Sequence, residues 1–143
     1  MSRARGGFLL VRTGSRRVGL ELAQVIEVTQ VARVHPVPSR EPAVRGVAHL
    51  HGSIVPVVHL GALLDTVACP PRAGDLVVMV MVDGRRVCLE IDEAEVVVRE
   101  PALPVLPGSA LPWAIGVARH SDELVPLLDL TALSTRFMEA SPT

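Results

Sequence analysis

The chain has no tyrosine, one tryptophan and two phenylalanines, and all fourteen of its basic residues are arginine. Grooves that dock proline-rich peptides are walled by aromatic rings. Phe8, Trp113 and Phe137 lie too far apart in the sequence, with Trp113 in a Pro-flanked stretch, to build one. The arginines are spread among fifteen acids for a net charge of -1. They form neither the stripe that follows a nucleic-acid backbone nor the block that holds an anionic membrane, so no nucleic-acid partner is expected. The two cysteines, Cys69 and Cys88, stand in no CxxC or metal-ligand spacing and read as free thiols. No apolar run approaches the roughly 20 residues that cross a bilayer. The longest is Leu76 to Val82, LVVMVMV, so membrane insertion is not expected. The opening MSRARGGFLLV lacks the long apolar region and small-residue cleavage site of a secretory signal, so a cytoplasmic location is expected.

What the chain has in abundance is aliphatic residues, arranged twice. Hydrophobic residues make up 49% of 143 positions and charged ones 20%, enough to bury a core and too apolar for a disordered linker. Gly46 to Leu63, GVAHLHGSIVPVVHLGAL, aligns without a gap on Gly116 to Leu133, GVARHSDELVPLLDLTAL, at an offset of 70, with eight of eighteen positions identical. Upstream, RRVGLELAQVIEV from Arg16 repeats as RRVCLEIDEAEVV from Arg85 at an offset of 69. Such periodicity marks one structural unit used twice.

Within each unit the apolar runs have strand length and are broken by Gly, Pro, Asp and Ser, which predicts an all-β fold. Phe8 to Arg12 and Arg17 to Leu22 flank a tight turn, and Leu76 to Val82 and Arg85 to Ile91 flank Asp83-Gly84, a strong hairpin signal. Val25 to Val28 and Val96 to Arg99 extend the units. HPVPSREP and REPALPVLPGSALP then cross between strands, because proline at that density cannot sit inside a ladder. Ser39 to Pro42 has the composition to cap one helical turn ending at Gly46. A second hairpin follows in each unit, and GALLD and TALSTRFME allow short helices. Strand alternation turns Val55, Val57, Val125 and Leu127 inward.

The order of these pieces resembles the CheW family of adaptors in bacterial chemosensory arrays. The resemblance rests on Val25-Ile26-Glu27, on Arg45 to Leu60 read as R-G-V-x-x-L-x-G-x-I-V-P-V-V-x-L, and on Asp122 to Leu130, DELVPLLDL. It implies a single domain over residues 8–134, in halves of roughly 8–64 and 76–134 with interleaved strands. It implies two SH3-like five-stranded β-barrels and a scaffold bridging the cytoplasmic tip of a chemoreceptor to the regulatory domain of a CheA-type histidine kinase. On the first half, Val25, Val28 and Val47 are the expected apolar contacts, with Glu27, Arg45, His51 and Gly52 at the rim. On the second, Gly108, Leu111 and Trp113 are expected to face the kinase. The chain departs from the family at N-L-R-G, here His49-Leu50-His51-Gly52, and at V-x-D-L, here Val58-His59-Leu60. These changes leave open a diverged accessory scaffold that binds only the receptor or only a kinase regulatory domain.

Five histidines invite a metal reading. A two-residue turn at Gly52-Ser53 would pair His51 with Ile54 and His49 with Pro56, on the face opposite His59, and nothing at ligand spacing completes a tetrahedral site, so no metal or other cofactor is expected. No GxSxG motif or glycine-rich phosphate loop is present, and Asp92 to Glu95 reads as a solvated turn, so an enzyme is not expected.

Overall fold

A computed structural model describes residues 7–99, 102–104 and 111–139, with side chains through Phe137. Among the described residues, five strands, β1 (Phe8–Thr13), β2 (Arg16–Glu21), β3 (Val25–Gln30), β4 (Val44–Leu50) and β5 (Ser53–His59), lead to helix α1 (Leu60–Asp65), and five more, β6 (Leu76–Val82), β7 (Arg85–Glu90), β8 (Glu93–Val98), β9 (Ala114–His120) and β10 (Glu123–Leu128), lead to helix α2 (Leu130–Glu139). They form two five-stranded sheets, ordered β3-β6-β7-β5-β4 and β8-β1-β2-β10-β9. Replacing each strand of the first sheet by its repeat counterpart yields the order of the second.

The repeat halves are therefore not the barrels. Hairpin β1–β2 leaves its own half to pair with β8 and, in parallel, with β10, where Leu127 faces Gly19. Hairpin β6–β7 makes the reciprocal move, joining β3 and running parallel to β5 with Val57 opposite Cys88. Each sheet curls into a barrel at an equivalent point. In the first barrel His35 and Val47 exchange backbone hydrogen bonds of 2.8 and 2.9 Å; in the second, Leu103 and Val117 exchange two of 2.8 Å. Gly46 and Gly116 stand beside these bridges, and a Cβ built on Gly46 would lie 2.1 Å from the His35 carbonyl oxygen.

The exchange explains why β6 and β7 are apolar on successive residues. Val77, Met79 and Cys88 fill the first barrel, while Val78, Val80, Val82, Val87 and Leu89 turn outward against Leu9, Val11, Val18 and Leu20 of the other exchanged hairpin. A strand buried on both faces reads as a continuous hydrophobic run. The second barrel encloses Phe8, Leu10, Val125 and Leu127, and α1 and α2 close the core between the barrels with Leu60, Leu63, Leu130, Leu133 and Phe137.

Three local expectations are corrected. The β4–β5 turn consists of His51 and Gly52, both at positive φ (51° and 79°), so Leu50 pairs with Ser53 and His49 with Ile54. Positive φ at both central positions is the type I′ pattern, with Gly52 in second place; Gly52-Ser53 would have been the type II′ alternative, which needs glycine only in first place. Residues 40–43 make a bend and a single hydrogen-bonded turn, the Val44 amide donating to the Glu41 carbonyl at 3.1 Å, rather than a turn of helix. Ser39 Oγ accepts from the Glu41 amide at 3.2 Å and Glu41 Oε2 from the Ala43 amide at 3.0 Å, which satisfies the backbone locally. Glu93 and Glu95 lie within β8 instead of a turn, held by Arg12 at 3.3 Å and Arg17 at 2.7 Å.

Candidate protein-binding face

Strand β3 is an edge of the first sheet. Its ladder with β6 shifts by one residue between Val25 and Glu27, placing Val25 opposite Val80 and Glu27 opposite Met79. The bulge leaves Ile26 and Val28 on the outer surface, 43% and 41% exposed, while Val25 packs against the core between the barrels. Edge strands with apolar side chains turned to solvent are sites where a partner docks. Glu27 reaches across the barrel seam to the β4–β5 turn, where its Oε1 lies 2.9 Å from His51 Nε2. Val47 is half-buried on β4, and Gly52 completes the turn beside His51.

Of the residues expected at this face, Ile26's neighbours Val25, Glu27 and Val28, together with Val47, His51 and Gly52, gather along the β3 to β4 seam. Arg45 does not join them. It sits at the opposite end of β4 from His51, 16% exposed, with Nε 2.9 Å from Glu90 Oε1 and Nη1 donating to the Pro70 carbonyl at 2.6 Å. Arg72 binds the other Glu90 oxygen at 2.6 Å. Trp113 is also remote, 7% exposed in the core between the barrels, with the Arg16 guanidinium 5.5 Å above its ring. Leu111 packs half-buried against the same core, and Gly108 lies outside the described residues. The sequence reading missed Ile26, although strict alternation along β3 puts it on the same face as Val28. It also missed the Arg45–Glu90–Arg72 cluster, whose members are far apart in the chain.

Two groups, the buried Cys88 and the half-buried His59, are tuned by their surroundings. Cys88, inside the first barrel, is pushed up to about 11 by burial and secondarily by the Glu27 carboxylate, so its thiol stays protonated at neutral pH. His59 is held below the ordinary imidazole value by burial, with Arg45 acting in the same direction and Glu90 and Asp92 against it. Its Nδ1 accepts the Ala62 amide at 3.0 Å and caps α1; Asp129 Oδ1 does the same for Ala132 at 3.1 Å in α2. Among the described residues no cluster of three or more His, Cys, Asp or Glu has the spacing to hold a metal ion, and no helix is long and apolar enough to cross a membrane.

Two five-stranded barrels completed by exchanged hairpins, with an apolar edge strand beside a carboxylate–imidazole pair, define an all-β double-barrel protein. The family model for the CheW-like domain matches residues 7–136, and the chain belongs to that family of non-catalytic chemotaxis scaffolds. Among solved structures, the chain is similar to the scaffolding protein TtCheW from Thermoanaerobacter tengcongensis, at 19% identity over 90% of this chain and 92% of that one. The TM-score of 0.79 shows a shared fold of two SH3-like subdomains. No curated protein matches the chain.

Proposed function

We propose that the protein is a cytoplasmic, non-catalytic adaptor that couples the tip of a chemoreceptor to the regulatory domain of a CheA-type histidine kinase. The observation that carries this reading is the exposed apolar strip of β3, Ile26 and Val28, bounded by Glu27 and His51. An amphipathic helical tip laid along that edge would bury the two side chains and leave its polar residues at the Glu27–His51 rim, the usual division of an interface into apolar centre and polar border. The kinase domain is expected at the second barrel, whose fold repeats that of the first.

A second reading, an accessory scaffold that engages only one of these partners, is favoured by two observations. Arg45 is drawn into the Glu90 cluster, and His51, standing where the family has arginine, is already engaged by Glu27. Affinity of the whole chain for a purified receptor tip and for a kinase regulatory domain, measured separately by calorimetry, separates the two. A full adaptor binds both. Val28→Asp is expected to abolish receptor binding and spare kinase binding, and equal binding of Val28→Asp and wild type to the receptor would remove β3 from the interface.

A further inference from the structure

The two halves cap their helices at equivalent positions with different chemistry. His59 and Asp129 each begin a helix by accepting the amide three residues on, and in both halves the capping residue's own amide is also bound, His59 N to the Ala43 carbonyl at 2.8 Å and Asp129 N to the Trp113 carbonyl at 2.7 Å. A carboxyl group keeps an accepting oxygen in either protonation state. An imidazole accepts through Nδ1 only while that nitrogen is unprotonated. Once protonated it offers a donor and a positive charge to the N–H groups that open the helix, where the macrodipole favours a negative group.

We infer that α1 and the segment behind it form an acid-sensitive latch, which protonation of His59 releases while α2 stays closed. The segment hangs on α1 and its cap. The Val67 amide donates to the Ala62 carbonyl, the Cys69 amide to the Pro42 carbonyl and the Cys69 thiol to the Ala43 carbonyl, the same oxygen that accepts the His59 amide. Protons reach His59, which lines two adjoining clefts of about 240 and 590 Å³ that share Gly14 and Pro70. The charged groups facing it are Glu90 on β7 and Asp92 beyond it, which favour the imidazolium, and Arg45 on β4, which opposes it. Arg72 of the segment, Arg16 on β2 and Asp65 at the end of α1 line the same clefts. Both carboxylates are already engaged, Glu90 by Arg45 and Arg72 and Asp92 by the Gly14 amide, so they compensate the new charge only in part. Burial lowers the imidazole below its ordinary value, in agreement with a neutral acceptor in the closed state.

The sign follows directly. A histidine whose folded value is depressed contributes stability that is full above the unfolded value, about 6.5, and is lost as the pH falls through the folded value. Amide hydrogen exchange of the intact chain, resolved by NMR and corrected for intrinsic rates, is the test, with the Ala132 amide of α2 as internal control. Between pH 7.5 and 5 the protection of Ala62 is expected to fall about two- to thirtyfold, the range for loss of a helix cap, while that of Ala132 holds. His59→Asn, which keeps an acceptor that does not titrate, is expected to abolish the pH dependence. Constant Ala62 protection down to pH 5, or an unchanged dependence in His59→Asn, would overturn the latch. A parallel loss at Ala132 would do the same by showing global unfolding instead. Should His59→Asn prove unstable, His59→Asp supplies a second cap, with the acceptor found at Asp129, read by the same two amides.

Discussion

Gly46 shows how much a single residue carries here. Its φ of +152° lies where side chains are rarely found, and a Cβ there would meet the His35 carbonyl at 2.1 Å and the Pro36 Cα at 2.9 Å, breaking the bridge that closes the first barrel. Gly116, its counterpart, has only the Leu103 carbonyl at 2.7 Å to fear and no left-handed backbone. Gly46→Ala is therefore expected to destabilise by about 3 kcal/mol or more, from strain plus collision, and Gly116→Ala by clearly less. Urea denaturation of the two variants measures the difference, and equal losses would mean the bridge does not close the first barrel. Glu90 gives a second test. Its carboxylate is 6% exposed and joins two arginines that are themselves only partly covered, so Glu90→Ala should cost about 3 kcal/mol, with the cations left without their partner. A loss at the level of a surface ion pair, below about 1 kcal/mol, would show that solvent takes the carboxylate's place. His51 stands at the other extreme. More than half exposed and paired with Glu27, it is a rim group, and His51→Arg or His51→Ala is expected to change receptor affinity less than tenfold.

At the scale of an element, the second strand of each repeated hairpin keeps its alternation. Val55, Val57, Val125 and Leu127 are all buried, and the parallel pairing of β10 with β2 seats Leu127 over Gly19, where its Cδ2 lies 2.5 Å from the position a Cβ would take. Leu127→Ala opens a cavity in the second barrel that a glycine opposite cannot refill. The expected loss is about 2 to 5 kcal/mol by chemical denaturation, and a loss typical of a surface position would mean the strand faces the other way. The strand faces were legible because burial of one side forces a period of two. The β4–β5 turn was not, because Gly52 can serve either half of a two-residue turn and a shift of one residue decides the pairing of both histidines. The β3 bulge was hidden for the same reason: VIEVTQ reads as plain alternation, and only the partner strand shows where a residue is added.

The whole molecule turns on the exchange of hairpins. Neither half of the chain owns the five strands of a closed sheet, and the largest apolar cluster is built by β1, β2, β6 and β7 together. Fragments cut within the connection after α1, 1–70 and 71–143, are expected to lack the fold of the intact chain when separate and to recover it as a one-to-one complex when mixed, followed by circular dichroism and analytical ultracentrifugation. A fragment that folds alone as a monomer would contradict the shared core.

The sequence by itself determined the all-β class, the twofold repeat, the inward faces of the repeated strands and the CheW-like resemblance, because each is written in local periodicity and in spacing along the chain. It also placed Val28, Glu27 and His51 near one another, through the family motif that holds them. Only the tertiary structure decided which hairpin completes which barrel, since two homologous halves offer the same pairing edges and the chain order is silent on whether a hairpin folds home or across. Only it withdrew Arg45 to Glu90 and Trp113 into the core, and brought His59 to the head of α1 beside Glu90 and Asp92. Those positions depend on contacts between residues remote in the chain, and a pattern of near neighbours carries no record of them.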